Sequence, residues 1–190
     1  MSKCENYTYK HFNDAEIIEF FKNNYIDEFK NVIDKFHSIK HGAHKADLFR
    51  YYYLYINGGI FLDSDAMVEM NIHDLKTDES FFSILSPAHY IHGKVIFNGF
   101  IGAVPKNEII YKALKNIYNI SLDVLNNNYH IICKNLFLII DEKKYNFKIK
   151  LFNEETWEQY LQANCNYTKV RDENNNIVLK HYCFDKKIPK

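Results

Sequence analysis

Two aspartates separated by one residue, Asp63 and Asp65, are the first feature of this 190-residue sequence that could do chemistry. They follow the apolar run Ile60-Phe61-Leu62, which predicts a short strand buried on both faces of a largely parallel sheet. Two close carboxylates raise each other's pKa unless a cation lies between them, and Mg²⁺ or Mn²⁺ prefers such oxygen ligands. The pair therefore indicates a metal site at the end of a strand, where open α/β sheets bind ligands. A solvated acidic turn is the alternative interpretation.

A second pair of charged residues, Asp47 and Arg50, lies upstream in a helix predicted from about His44 to Ile56. The two are three residues apart, so they share one helix face. Facing a sugar, they could hydrogen-bond vicinal hydroxyls or a phosphate. The other interpretation is a structural ion pair beside the helix. Gly58-Gly59 ends the helix, because glycine takes the left-handed conformation with which helices often end.

The stretch from Lys45 to Asp65 resembles one known family along its whole length. It contains Ala46-Asp47-Leu48-Phe49-Arg50-Tyr51, then Leu54-Tyr55, then Gly58-Gly59-Ile60-Phe61-Leu62-Asp63-Ser64-Asp65. This resembles the pattern A-D-x-x-R-Y, L-Y, G-G-I-[YF]-x-D-x-D of glycosyltransferases whose sugar-binding region contains a DXD motif. That family includes initiating α-mannosyltransferases, capsular polysaccharide transferases and, more distantly, the glucosyltransferase domain of clostridial toxins. The resemblance implies an α/β, GT-A-like fold: a Rossmann-type single domain over residues 1–190, with a mixed, mainly parallel sheet flanked by helices.

The resemblance also implies a metal site and a reaction. Asp65 would ligate Mn²⁺ or Mg²⁺ directly, and Asp63 would bind it through water or hold the ribose and sugar hydroxyls. His181, in Lys180-His181-Tyr182, resembles a late histidine that can complete the metal site. The expected reaction moves a hexose from a UDP- or GDP-sugar to a glycan or protein acceptor with retention, while the metal neutralises the leaving diphosphate.

Four further residues are expected at the sugar. Asp47 and Arg50 would hold the donor sugar and, with Asp63 and Asp65, make up the expected catalytic set. Asn98 and Gly99, in Phe97-Asn98-Gly99-Phe100, resemble the family's next segment and would line the pocket beside the anomeric carbon.

One departure from the family pattern keeps other functions open. The family usually begins with a strand of the form I-P-K-I-I-H-x-x-W that lines the nucleobase site. The sequence has no such segment, and Tyr7 to Phe12 resembles the family's second strand. A non-catalytic or degenerate nucleotide-sugar-binding member is therefore the alternative. A metal-dependent phosphoesterase or nuclease is a third, although such sites commonly hold two metals through more acids and histidines.

Composition argues against several other classes. With 24 basic and 24 acidic residues, the sequence lacks the basic field that non-specific nucleic-acid binding needs. No apolar run approaches the roughly 20 residues of a transmembrane segment, and no apolar core of a signal peptide is present. These features predict a cytoplasmic protein, in the host cytoplasm if the sequence is viral. The four cysteines are spaced for neither a zinc site nor a disulfide framework. The sequence leaves the oligomeric state open.

Hydrophobic patterning predicts the elements that position these residues. Asn13 and Glu16 have the form of a helix capping box. His89 and His92 could lie on a flap over the site or on a plain surface loop. Trp157 could pack in the core, which is the favoured interpretation, or stack on the uracil or guanine of the donor. Helices are predicted after Asn13, around 29–36, and over 44–56, 108–117 and 122–129; strands are predicted over 7–12, 60–62, 66–70, 80–85, 95–104, 145–152 and 177–184.

Overall fold

The computed structural model describes residues 7–75, 79–87, 93–142, 145–156 and 166–182. Its helices are α1 (Asp14–Asn23), α2 (Val32–Ser38), α3 (Gly42–Asn57), α4 (Glu108–Asn119), α5 (Leu122–Asn127) and α6 (Ile131–Asp141). Its strands are β1 (Gly59–Leu62), β2 (Ala66–Val68), β3 (Phe81–Ser86), β4 (Val95–Ala103), β5 (Ile149–Glu154), β6 (Thr168–Arg171) and β7 (Ile177–His181). Two 3₁₀ turns cover Asp27–Phe29 and Ile72–Leu75.

The described strands form one mixed sheet in the order β1-β4-β3-β5-β6-β7-β2. The expected α/β architecture with a mixed sheet and flanking helices is confirmed, and it is compatible with a GT-A-like domain. The expectation of a mainly parallel sheet is wrong, because β3–β5 is the one parallel pairing among the described strands. Parallel neighbours need a long crossover. The segment between β3 and β5 provides one, whereas the short connections β3–β4 and β6–β7 make antiparallel hairpins.

Strand β1 is an edge strand that pairs antiparallel with β4, so the prediction of a strand buried within a parallel sheet is wrong. Its apolar run has another cause. Successive side chains of a strand point to opposite faces, and the core lies on both faces of the sheet. Ile60 packs against a smaller cluster that includes Phe100, and Phe61 packs against a larger cluster formed with the helices.

The two edges of the sheet come together at the Asp63–Asp65 turn. Strands β1 and β2 are the first and last strands in the order of the sheet, yet only three residues connect them. A flat sheet of seven strands would separate its edges by about 29 Å, and such a connection spans at most about 14 Å. The sheet must therefore curl. The Asp63 amide donates to the Gly99 carbonyl of β4 (2.8 Å), and the Tyr182 amide after β7 donates to the Asp65 carbonyl (2.8 Å).

Two predicted helix ends are confirmed, the start of α1 and the end of α3. Asn13 and Glu16 form the predicted capping box, with the Glu16 amide 3.0 Å from Asn13 Oδ1. Helix α3 ends at Gly58, whose φ of 64° is the left-handed conformation. Residues 7–12, however, form no strand. Phe12 is held instead by ring packing against Phe49 at 5.0 Å.

Two elements were not predicted, α6 and β6. The first is apolar over most of its length, so no amphipathic period marks it as a helix, and the second is only four residues long. His89, His92 and Trp157 lie outside the described residues.

Candidate active site

A cavity of about 420 Å³ lies where the β1–β2 turn meets α3, β4 and the curled part of the sheet. All seven site residues predicted from the sequence line it: Asp47, Arg50, Asp63, Asp65, Asn98, Gly99 and His181. The structure thus brings together residues that are up to 134 positions apart in the chain, between Asp47 and His181. Their individual roles remain predictions.

Asp63 and Asp65 reach the same cavity through a turn. The Ala66 amide donates to the Asp63 carbonyl at 3.1 Å, which closes the turn directly after β1. A Cβ atom added at Gly99 would lie 2.6 Å from Oδ2 of Asp63. Glycine at this position therefore leaves the space that the Asp63 carboxylate occupies.

Arg50 is the centre of a buried charge network. Its Nη2 donates to Oδ1 of Asp63 at 2.8 Å, and Nη1 lies 3.4 Å from Oδ1 of Asp47. Nη1 also donates to the backbone carbonyl of Asn98. The guanidinium lies over the ring of Phe61, with 4.0 Å between its central carbon and the ring centroid. Arg50 thereby fixes one oxygen of Asp63, and the ion pair with Asp47 that the sequence left open is present.

Asn98 also holds Asp47, through the same carboxylate oxygen that Arg50 contacts. Its Nδ2 donates to Oδ1 of Asp47 at 3.1 Å, while its own Oδ1 accepts from the Tyr51 hydroxyl at 2.8 Å. Burial raises the pKa of Asp47, and the charge of Arg50 opposes that shift. Tyr51 was not predicted as a functional residue, although it ends the A-D-x-x-R-Y segment. Its hydroxyl satisfies the acceptor of Asn98 and so fixes which side of the amide faces Asp47.

Asp65 is exposed at the cavity wall. The protein around its carboxyl removes part of the water, which raises its pKa; His181 opposes the shift and Asp63 adds to it. Oxygen and imidazole donors from Asp65, Asp63 and His181 fit Mn²⁺ or Mg²⁺. Among the described ranges no three acidic, histidine or cysteine side chains form a ready-made metal cluster.

Glu154, which the sequence did not reveal, holds His181 in place. Oε1 of Glu154 lies 2.9 Å from Nδ1 of His181 and accepts from Thr168 Oγ1 at 2.6 Å. Burial opposes ionisation of Glu154, but the hydrogen bond and charge of His181, with hydrogen bonds from Ser86 and Thr168, lower its pKa overall. The His181 ring lies on that of Phe97, with centroids 4.1 Å apart and an angle of 31°.

The first 82 residues are similar to a known family. They match the family described as "Glycosyltransferase sugar-binding region containing DXD motif". Over residues 1–82 the chain therefore resembles the sugar-binding region of DXD-motif glycosyltransferases. The match covers Asp47, Arg50, Asp63 and Asp65, whereas Asn98 and His181 lie beyond it.

Two curated proteins extend the comparison. An uncharacterized glycosyltransferase of Acanthamoeba polyphaga mimivirus is 32% identical over 115 residues, or 60% of this chain and 44% of the relative. The mannosyl phosphorylinositol ceramide synthase of Saccharomyces cerevisiae is 29% identical over 111 residues, or 58% of this chain and 26% of the relative. The chain therefore spans less than half the length of each curated relative. No solved structure matches it significantly. Within the described ranges, no helix has the length and apolarity needed to cross a bilayer.

Proposed function

We propose that this chain is a glycosyltransferase that moves a hexose from a UDP- or GDP-sugar to a glycan or protein acceptor, with Mn²⁺ or Mg²⁺ at the Asp65 side of the cavity. The observation that carries the proposal is the convergence of the family's acidic residues, Arg50 and His181 on one cavity. When bound, the metal would supply positive charge to the leaving diphosphate.

The protein's own residues divide the remaining work. Asp47 is buried and held by Arg50 and Asn98, so its second oxygen can accept from a donor-sugar hydroxyl in a fixed direction. Arg50 orients Asp63 through a 2.8 Å ion pair. Asn98 and Gly99 form the adjoining wall. We infer retention of configuration from the family resemblance alone.

The test measures nucleotide-sugar binding and slow hydrolysis, with Mn²⁺ and with EDTA. The donor panel contains UDP-glucose, UDP-galactose and GDP-mannose, the last because one relative is named as a mannosyl-transferring synthase. A donor should raise the melting temperature only with metal, because a ligand that binds the native state stabilises it. Asp65→Asn should lose both this shift and hydrolysis. Asp34→Asn, at an exposed position of α2, is the matched control.

Four outcomes would contradict the proposal. Full activity of Asp65→Asn, or donor binding that EDTA does not change, would show that the reaction does not depend on a metal held by Asp65. Metal-dependent binding without hydrolysis of any donor would instead favour the non-catalytic alternative. Release of phosphate from simple phosphoesters would point to the phosphoesterase alternative.

A further inference from the structure

Two histidines at the start of α3 hold the end of α5 and the segment that connects it to α6. Nε2 of His41 lies 3.1 Å from the carbonyl oxygen of Asn126, in the last turn of α5, and Nε2 of His44 lies 3.0 Å from that of Tyr129, in the connecting segment. A carbonyl can only accept, so each imidazole carries a proton on Nε2. His44 is fully buried. The connecting segment is therefore pinned at Tyr129, and the helix end before it is pinned at Asn126.

The pinned segment presents an aromatic ring to the cavity. Tyr129 lines the cavity and is 58% exposed. Its ring packs on His44, with centroids 5.8 Å apart and an angle of 30°, and meets His130 edge-on at 5.3 Å. Neighbouring rings thus fix the orientation of Tyr129 while more than half of its surface stays open. An ordered, open aromatic ring beside convergent polar groups is a common feature of ligand sites.

The position of Tyr129 relative to the proposed donor site follows from its contact with α3, because that helix carries His44 as well as Asp47 and Arg50. His44, Asp47 and Arg50 lie at intervals of three residues on one face of α3. Each interval advances about 4.5 Å along the helix axis. Asp47 and Arg50 belong to the proposed donor site, so Tyr129, at the level of His44, lies one step beyond it. That step is comparable with the width of one sugar ring.

We propose that Tyr129 is the stacking platform of the acceptor subsite, and that the acceptor presents a sugar ring to it. This inference rests on the function proposed above. The apolar C–H face of the acceptor ring would lie on the aromatic face of Tyr129, with its hydroxyls toward the acidic cavity. An acceptor hydroxyl oxygen forms the new bond to the anomeric carbon as the bond from that carbon to the diphosphate oxygen breaks. The diphosphate leaves with the electron pair and takes the hydroxyl proton.

The experiment compares transfer to water with transfer to a sugar. Wild type, Tyr129→Ala and Tyr129→Phe are assayed for donor hydrolysis and for transfer to methyl glycosides of glucose, galactose, mannose and N-acetylglucosamine. Tyr25→Ala removes an equally exposed tyrosine (62%) that does not line the cavity. Tyr129→Ala should raise the KM for the glycoside roughly tenfold and leave hydrolysis within about twofold. Tyr129→Phe and Tyr25→Ala should both resemble wild type.

The outcomes separate this inference from the proposed function. If hydrolysis and transfer fall equally in Tyr129→Ala, Tyr129 supports donor binding or folding instead of acceptor binding. If the KM for the glycoside is unchanged, Tyr129 does not contact the acceptor. Either result overturns the inference. Inactivity of the wild type toward all donors contradicts the proposed function instead. Saturation-transfer NMR with the same glycosides, UDP or GDP, and diamagnetic Mg²⁺ then decides on Tyr129. Loss of the glycoside signal in Tyr129→Ala but not in Tyr25→Ala supports the platform, and a retained or absent signal overturns it.

Discussion

Glu154 accepts a hydrogen bond from His181 across 2.9 Å at the wall of the cavity. The lowered pKa of Glu154 keeps it ionised at neutral pH, and an ionised carboxylate can only accept. In the neutral form of His181, Nδ1 therefore carries the proton and Nε2 is the nitrogen with a lone pair. A carboxylate behind a histidine in this way fixes both the tautomer and the direction of the ring, as it does for many metal-binding histidines.

We expect Glu154→Gln to weaken Mn²⁺ binding by at least about tenfold without unfolding the protein, because outer partners of metal-binding histidines typically have effects of this size. The neutral amide of the variant can no longer attract the proton on Nδ1 with a full charge. Electron paramagnetic resonance of Mn²⁺, with nucleotide diphosphate present, measures the affinity directly.

Glu155→Gln is the control for that measurement. Glu155 lines the same cavity but pairs with Arg171 at 3.3 Å, so its removal lowers the cavity's negative charge without releasing His181. Equal losses of Mn²⁺ affinity in both variants would show that net charge, rather than the orientation of His181, determines metal binding.

Gly99 and Gly102 provide a matched pair of steric variants on β4. An added Cβ at Gly99 would meet the Phe97 ring and Oδ2 of Asp63, whereas one at Gly102 would meet only the Phe82 ring among its nearest atoms. Both Ala variants should lower the free energy of unfolding by about 1–3 kcal/mol, measured by urea denaturation, because a packed core resists added volume. Only Gly99→Ala should also reduce donor hydrolysis. Equal hydrolysis by the two folded variants would mean that the position of Asp63 tolerates the change.

Arg50→Met tests how far the buried charge network stabilises the fold. The substitution leaves Asp47 and Asp63 without their cation, and removal of one partner from a buried ion pair typically costs about 3–5 kcal/mol. Lys112→Met is the control, because its pairs with Glu108 and Glu142 lie on the surface. It should change the free energy of unfolding by less than about 1 kcal/mol. Similar values for both variants would show that the Arg50 network adds little to stability.

The sequence could predict the part of this site that lies on α3 and directly after β1, because those residues are close together in the chain. Asp47 and Arg50 share a helix face through a spacing of three, and Asp63 follows the same helix after one short strand. Such relationships depend on local geometry, so the pattern determines them. Resemblance to a family was needed for Asn98 and His181, which join the site from distant segments.

Features that depend on distant pairing could not be predicted. Glu154 stands at the end of β5, and its role arises only because β6 and β7 bring His181 beside it. The mainly antiparallel sheet was missed for the same reason, since strand order is a property of the whole chain rather than of any one apolar run. Tyr129 carries no sequence signal either; its position follows from the contact of its carbonyl with His44.

Cys133 offers a chemical probe of the cavity, and we expect its thiol to be unreactive in the native protein. Burial raises its pKa to about 12, and the charge of Asp47 adds to the shift. The thiolate is the nucleophile, so at pH 8 its fraction falls about a thousandfold relative to a free thiol. Higher intrinsic nucleophilicity of a basic thiolate recovers part of that loss. Iodoacetamide should therefore react at least roughly tenfold more slowly in the native state than in urea.

A variant that replaces the other three cysteines, at positions 4, 165 and 183, with serine isolates this signal. Cys133 keeps partial surface exposure and lines the cavity, so the reagent can approach it and slow reaction would reflect the raised pKa. Raising the pH from 8 to 9 should increase the native rate about tenfold, because the thiolate fraction of a group with a pKa near 12 is still proportional to hydroxide there. A rate that levels off near pH 8.5 would instead mean that the thiol behaves as a solvated one, so that neither burial nor the charge of Asp47 raises its pKa.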